Sequence, residues 1–137
     1  MHAVFVPLVG FRLGEREMLE LGMSLPGLAA RAGAIGRLPA LGVLTLAGML
    51  PPHWTCSYLE TEDAERIAAE RPGLVAVSCL TASAPEAYRL GDGLRARGIR
   101  CVLGGLHATA CPDDAAPHFD SVVVGEGEPV WPDVLRD

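Results

Sequence analysis

The chain has 137 residues, the length of one ordinary domain, and half of them are hydrophobic while a fifth are charged, which is a globular rather than a disordered composition. Its formal net charge is −6, and its eleven cationic residues are scattered along the chain and are all arginine, which argues against a nucleic-acid-binding surface. Because the sequence contains no lysine, it excludes a P-loop, a Schiff-base lysine and a receiver-type phosphorylation site.

The cysteines and the apolar segments indicate where the chain resides. None of the four cysteines forms a CxxC motif, and Cys56, Cys79 and Cys101 sit in strand-like runs, so we expect small buried thiols in a reducing compartment. No uninterrupted apolar stretch is long enough to span a membrane. The N-terminus reads directly as a strand and not as a signal peptide. We therefore predict a cytoplasmic protein.

The first third of the chain begins and ends with regular elements. The apolar run His2–Val9 predicts a buried strand. Residues 11–38 are predicted to be an extended or helical insertion, with one helix over Ser24–Arg37 capped by its first residue. Leu41–Leu50 has apolar residues at helical spacing, and the two prolines that follow end the helix.

The rest of the chain alternates strand-like and helix-like segments. Short apolar runs predict four further strands, namely Trp54–Leu59, Leu74–Leu80, Ile99–Leu103 and Ser121–Val124. Helices are predicted over Asp63–Arg71, Pro85–Arg97 with Gly98 as its C-cap, and Pro129–Arg136, with a helical turn at Asp113–Pro117. Because strands and helices alternate, we expect one α/β domain over residues 1–137 with an open parallel five-stranded sheet. The expected strand order is the flavodoxin-like (Rossmann-like) order 2-1-3-4-5.

Glycines and short hydroxyl residues concentrate in the segments that follow the predicted strands. These segments are Ser78–Ser83, Gly104–Thr109 and Gly125–Glu128. Open α/β sheets bind ligands at the carboxyl ends of their strands, so these segments would meet at one binding edge. Each segment alone is equally consistent with ordinary turn chemistry. Three of them at one edge favour a ligand.

Two kinds of chemically active residue occur at this edge. His107 has the chemistry of a metal ligand or an acid–base group, but no second ligand lies at suitable spacing. We therefore favour a loop histidine that bonds to the backbone. Glu126 and Glu128 form either a carboxylate pair or favourable negative charges at the start of the last helix, and we favour the second interpretation.

Four segments together resemble a known family. Leu41–Pro51 (LGVLTLAGMLP), preceded by Pro39, is similar to the P-x-LGLLTLAALLP helix in the cobalamin-binding domain of B12-dependent radical SAM proteins. Val75–Thr81, Val102–Thr109 and Val122–Glu128 follow in the order of that family. As an ordered set these segments are specific, whereas each alone is weak.

The resemblance implies a cofactor and a set of binding residues. Ser78 and Leu80 match the family's SxL motif, which lines the pocket for the nucleotide tail of cobalamin. Gly104 and Gly105 match its GG motif, which lets the tail pass close to the backbone. The same segments add further predicted cofactor-binding residues, namely Thr81, His107, Thr109, Gly125, Glu126 and Gly127. No catalytic or metal-ligating residue is predicted.

Two motifs of the wider family are missing from the sequence. The DxHxxG motif is absent and the loop Pro7–Glu15 has no histidine, so the resemblance implies cobalamin in the base-off form without a protein histidine ligand. The CxxxCxxC thiolates of a radical SAM cluster are also absent, so we do not expect catalysis by this chain alone. The expected partners are cobalamin and a radical SAM domain or another protein, with no nucleic acid and no membrane.

Three functions stay open at this point. The first is a cobalamin-binding module, acting as a carrier, as a sensor or as the N-terminal part of a radical SAM enzyme. The second is an enzyme that uses His107 and the glutamates. The third is a degenerate, cofactor-free interaction domain, which would fill the sheet edge with bulky side chains.

Overall fold

The structure is a computed structural model that describes residues 1–8 and 39–136. The predicted insertion at 11–38, with its helix Ser24–Arg37, lies outside the described residues, as does Val9 at the end of the first predicted strand.

The five strands in the described residues form one parallel sheet. They are β1 (His2–Leu8), β2 (Thr55–Tyr58), β3 (Leu74–Cys79), β4 (Cys101–Gly104) and β5 (Ser121–Val122). Their order is β2-β1-β3-β4-β5, which confirms the predicted flavodoxin-like arrangement. Crossovers change direction between β1 and β3, so the switch point of the sheet lies beside the carboxyl ends of these two strands.

Helices cover both sides of this sheet. They are α1 (Leu41–Gly48), α2 (Ala64–Ala69), α3 (Ala84–Arg95), α4 (Leu106–Ala110), α5 (Pro112–Ala115) and α6 (Trp131–Val134), with a 3-10 turn at Thr81–Ser83. The carboxylate of Asp63 caps α2 by accepting hydrogen bonds from two backbone N–H groups of its first turn, at 2.9 and 3.3 Å. Helix α3 ends at Arg95, two residues before the predicted end. Gly98, with φ of 69°, turns the chain after the helix, and the next N–H donates to the Leu94 carbonyl at 3.0 Å.

Side chains alternate between the two sides of each strand, and each side has its own core. The side that we call the closed face packs Val4, Val6, Val75, Val77 and Leu103 against α2, α3, α4 and α5. The side that we call the cavity face packs Phe5, Ala76 and Val102 against Val43 of α1 and Trp131 of α6.

Several predicted boundaries were wrong in ways that matter for the site. The fifth strand ends at Val122 and not at Val124, because the chain turns at Gly125, which has φ of 84°. The fourth begins later than predicted and includes Gly104. The predicted loop after it contains the helix α4.

Two further expectations fail for simple reasons. Cys56 is exposed and not buried, because it lies on β2, an edge strand of the sheet, whereas Cys79 and Cys101 are buried as expected. The last helix begins at Trp131 and not at Pro129, so Asp133 and not Glu126 or Glu128 is the acidic residue in its first turn. The interpretation of these glutamates as helix-start charges is therefore wrong.

Candidate functional site

A cavity of about 200 Å³ opens on the cavity face near the carboxyl ends of the central strands. Its wall is formed by β1, β3 and β4, by α1, and by the segment between β5 and α6. The lining residues are Phe5, Ala40, Gly42, Val43, Leu46, Ala76, Val77, Ser78, Val102, Gly104, Gly105, Val123, Gly125, Gly127, Glu128 and Trp131. The wall is therefore mostly apolar, with Ser78 and Glu128 as its hydroxyl and carboxylate groups, which is the usual character of a small-molecule site.

Half of the predicted binding residues lie on this wall. Ser78, Gly104, Gly105, Gly125 and Gly127 line the cavity. Leu80, Thr81, His107, Thr109 and Glu126 do not line it. The β3–β4 register pairs Ser78, the next-to-last residue of β3, directly with Gly104, the last residue of β4.

Gly104 leaves space that the fold itself does not use. It lies in a strand, and a Cβ added to it would have no heavy atom of another residue within 4 Å. The backbone and the surrounding side chains would therefore accept a Cβ atom here. The open volume beside Ser78 is the feature that a passing ligand would need.

Gly105 is a glycine for a different reason. Its φ is 94°, a conformation that residues with a Cβ rarely adopt. An added Cβ would lie 2.8 Å from Ser78 Oγ and 3.1 Å from the Cys79 carbonyl oxygen. A side chain at Gly105 would therefore collide with the protein's own β3, so the fold itself requires a glycine at this position.

One predicted residue outside the wall, Thr109, holds the segment after β5 in place. The hydroxyl of Thr109 on α4 accepts a hydrogen bond of 2.9 Å from the backbone N–H of Gly125. The same hydroxyl donates to the Gly105 carbonyl at 3.1 Å. Thr109 thereby ties the two glycine segments together, and we assign it a positioning contribution. Glu126 is exposed, and it is Glu128 that borders the cavity.

His107 lies on the opposite side of this sheet edge. It is only 4% exposed, and its Nε2 lies 2.6 Å from the hydroxyl of Tyr88 while its Nδ1 lies 3.3 Å from Thr81 Oγ1. The expectation of a loop histidine bonded to the backbone is wrong, because α4 turns the ring into the protein, where it meets two side chains. Burial, followed by the charge of Asp114, raises the pKa of Tyr88 and keeps its hydroxyl protonated. His107 thus fixes α4 to α3 and to the segment after β3.

Trp131 is the main residue of the wall that sequence reasoning missed. It is 2% exposed, and its ring lies 5.8 Å from that of Phe5 at an angle of 44°. Its indole Nε1 has no hydrogen-bond partner. The sequence signal was available, since a tryptophan three residues after Glu128 in a short amphipathic helix is a candidate for the core.

Exposed apolar side chains follow the ends of three adjacent strands. Leu80 follows β3 and is 46% exposed, Leu106 follows β4 and is 71% exposed, and Val124 follows β5 and is 57% exposed. We call these three residues the apolar rim. Large apolar groups at one sheet edge are typical of a surface that another group covers.

The described part of the chain contains neither a metal centre nor a membrane span. In residues 1–8 and 39–136, no group of three or more His, Cys, Asp or Glu side chains is arranged to hold a metal ion. Within the same residues, no helix combines the length and the apolar character that crossing a membrane requires.

Fold and cavity together define a class of protein. A glycine-lined cavity at the carboxyl edge of a doubly wound parallel sheet is typical of nucleotide- and cofactor-binding α/β domains. A scan of protein families matches the B12 binding domain over residues 27–135. The chain belongs to this B12-binding family.

Curated relatives give a context for the domain. The chain is similar to the bacteriochlorophyllide d C-8(2)-methyltransferase of Chlorobaculum tepidum, with 36% identity over 99 residues, which are 72% of this chain and 22% of that enzyme. It is also similar to the bacteriochlorophyllide d C-12(1)-methyltransferase of the same organism, with 31% identity over 99 residues, which are 71% of this chain and 22% of the relative. The chain therefore spans less than a quarter of their length. No solved structure gives a significant match.

The residues present fit a corrinoid with a nucleotide tail. The open volume at Gly104 and the unpartnered indole N–H of Trp131 are both features that a bound group would complete. A volume of about 200 Å³ is below the roughly 300–1,000 Å³ of a site that encloses a drug-sized ligand. The cavity is therefore suited to one part of the cofactor, the tail, and not to the corrin ring.

Proposed function

We propose that this chain holds cobalamin with its nucleotide tail in the cavity beside Ser78 and Gly104 and with its corrin ring over the apolar rim. The single observation that supports it best is the unused space at Gly104, where the fold alone does not require a glycine. Ser78 offers a hydroxyl at the paired position of the neighbouring strand. Leu80, Leu106 and Val124 offer apolar surface for the macrocycle.

The proposed binding form is base-off without a protein histidine. The sequence has four histidines, and none of them lines the cavity. His107 is the nearest candidate by sequence, but its two ring nitrogens face Tyr88 and Thr81. The protein's contribution would be to bind the tail, to cover one face of the ring with apolar side chains and to keep water away from it.

The proposed context is a larger B12-dependent enzyme. The two curated relatives are methyltransferases in which the matched region makes up 22% of the chain. We propose that this chain is the cobalamin module of such an enzyme, or a carrier or sensor, and that a radical SAM domain or another protein performs the chemistry. We also propose that residues 1–137 form one cobalamin-binding domain and that the protein is cytoplasmic.

The cofactor-free alternative predicts a filled cavity and not an open one. A degenerate interaction domain would fill the sheet edge with bulky side chains. Glycines lie at the carboxyl ends of the strands instead of bulky residues. A Cβ atom added at Gly104 or Gly125 would have no heavy atom of a non-adjacent residue within 4 Å. We therefore favour the cobalamin-binding function.

Equilibrium dialysis with hydroxocobalamin tests the proposal. We expect about one cobalamin to be retained per chain, with the absorption bands of the base-off form. Gly104→Val should weaken binding by at least about tenfold, or 1.4 kcal/mol, because the side chain fills the space proposed for the tail.

Gly48→Ala is the matched control. Gly48 also has no heavy atom within 4 Å of its added Cβ, but it does not line the cavity, so its substitution should leave binding unchanged. A wild-type chain that retains no cobalamin contradicts the proposed function. A Gly104→Val chain that is folded and binds normally would show that the tail takes another path.

A further inference from the structure

Trp131 lines the cavity, and its indole N–H is a buried donor without a hydrogen-bond partner. In the part of the chain that the structure describes, it is the only buried side-chain nitrogen or oxygen without a hydrogen-bond partner. The residue lines the cavity at the start of α6 and is almost fully buried. Its core neighbours on the cavity face are apolar, among them Phe5, Val43 and Val102.

An unpaired donor of this kind costs stability. Leaving a buried N–H without an acceptor costs about 1–3 kcal/mol relative to a paired one. Packing against Phe5 needs an aromatic ring but no N–H donor, so packing alone does not require the indole nitrogen. An indole at this position is explained if an acceptor arrives with a ligand.

We propose that Trp131 recognises the nucleotide tail of cobalamin by donating its Nε1–H to an acceptor on that tail. This inference rests on the proposed function. The corrin ring does not fit a cavity of about 200 Å³, so a group that reaches the cavity wall belongs to the tail. The tail carries acceptors of several kinds, namely a base nitrogen, ribose oxygens and phosphate oxygens, whereas the surrounding wall offers the N–H no protein acceptor.

The proposal assigns Trp131 a role in specificity. Cobinamide has the corrin ring but lacks the nucleotide base and its ribose phosphate. Trp131 should therefore contribute to the binding of cobalamin and contribute nothing to the binding of cobinamide. This difference separates recognition of the tail from a general effect on the sheet edge.

The first experiment observes the indole N–H directly in the wild-type chain. Nitrogen-15 NMR shows two indole N–H signals, from Trp54 and Trp131, and Trp54→Phe assigns them. Saturation with hydroxocobalamin should move the Trp131 proton downfield, as a new hydrogen bond requires. Saturation with dicyanocobinamide, which brings a corrin ring of the same kind, should not cause this shift.

The second experiment measures affinity. Trp131→Phe should weaken the binding of cobalamin by about tenfold and leave the binding of cobinamide within twofold of wild type. Trp54→Phe is the control, because Trp54 packs beside the same core without lining the cavity and should change neither affinity. If Trp131→Phe does not fold, the NMR measurement on the wild type decides alone.

The outcomes separate this inference from the function on which it rests. A wild-type chain that binds no cobalamin removes the proposed function and this inference with it. A chain that binds cobalamin with an unshifted Trp131 signal, or a folded Trp131→Phe that binds cobalamin as tightly as wild type, overturns the inference alone. An equal loss for cobalamin and cobinamide also overturns it, because the indole would then only support the fold.

Discussion

The two sides of the sheet use the same strands for different purposes. On the closed face, Val75, Val77 and Cys79 of β3 share one buried core with Leu90 and Leu94 of α3, so the core reaches the end of the strand. On the cavity face, the apolar series of β3 ends at Ala76, and Ser78 follows it with open space beside it. One side carries the packing that stabilises the sheet, and the other side gives up packing where a ligand would lie.

Gly104 and Gly105 show the same difference between packing and open space at two adjacent residues. Gly105 is required by a backbone φ of 94° and by the closeness of β3, so it serves the fold. Gly104 has a strand conformation and open space beside it, so the fold itself does not require a glycine there. Substitutions on either side should therefore separate effects on stability from effects on binding.

The largest effect is expected for Gly105→Val. The strained φ and the collision with Ser78 Oγ and the Cys79 carbonyl should together cost about 3 kcal/mol of the free energy of unfolding. Urea unfolding followed by circular dichroism measures it. Surface substitutions usually change the free energy of unfolding by less than about 0.5 kcal/mol. A change as small as this in Gly105→Val would contradict the assignment of Gly105 to the fold.

His107→Ala should have the next largest effect. It removes a buried ring and leaves the Tyr88 hydroxyl without its partner at 2.6 Å, which should cost about 2 kcal/mol. Thermal unfolding checks the stability. The visible spectrum of bound cobalamin should not change, since we do not assign His107 to cobalt; a changed spectrum would move this residue from the closed side to the binding site.

The buried thiols of the closed face should make stability depend on alkaline pH. Burial raises the pKa of Cys79 to about 11 and that of Cys101 to about 12, from an ordinary value of 9.0. Because the folded state holds the thiol protons more tightly than the unfolded state, their contribution to the free energy of unfolding is complete below pH 9. This contribution is lost as the pH rises from 9 toward the raised pKa values. The expected loss is at most about 1.4 kcal/mol per pH unit for each thiol.

Urea midpoints at pH 8 and pH 10 measure this loss. The double variant Cys79→Ala, Cys101→Ala should show a shallower fall, and an unchanged fall would assign it to other groups. Cys56 is exposed, so a thiol reagent at pH 8 should label it in the folded chain well before the two buried cysteines.

The smallest effect is expected for the stability of Gly104→Ala without ligand. Its added methyl group meets no atom within 4 Å, so the free energy of unfolding should stay within about 0.5 kcal/mol of wild type. Urea unfolding alongside Gly105→Val gives the contrast within one experiment. A loss as large as that of Gly105→Val would show that both glycines serve the fold.

Local sequence patterns determined the elements of this protein. The continuous apolar run Leu74–Leu80 predicted a strand buried on both sides, and the structure has this strand over Leu74–Cys79. The spacing of Ala87, Leu90 and Leu94 predicted α3, which ends at Arg95, two residues earlier than predicted. Strand and helix formation depend on neighbours within a few positions, so such patterns are visible in the sequence. The alternation of strands and helices then limited the number of possible strand orders, because crossover connections between parallel strands are almost always right-handed. Family-like segments added the B12-binding assignment, which the family match confirms.

Tertiary structure alone decided what each residue at the edge does. Gly104 and Gly105 are adjacent glycines that the sequence alone does not distinguish. Only the positive φ of Gly105 and the closeness of β3 show that the fold requires a glycine at position 105 and not at position 104. His107 became a buried support because α4 turned it toward Tyr88, and Trp131 joined the cavity because α6 folds back onto the strand that carries Phe5. These contacts join residues far apart in the chain, and no local pattern encodes which of them will meet.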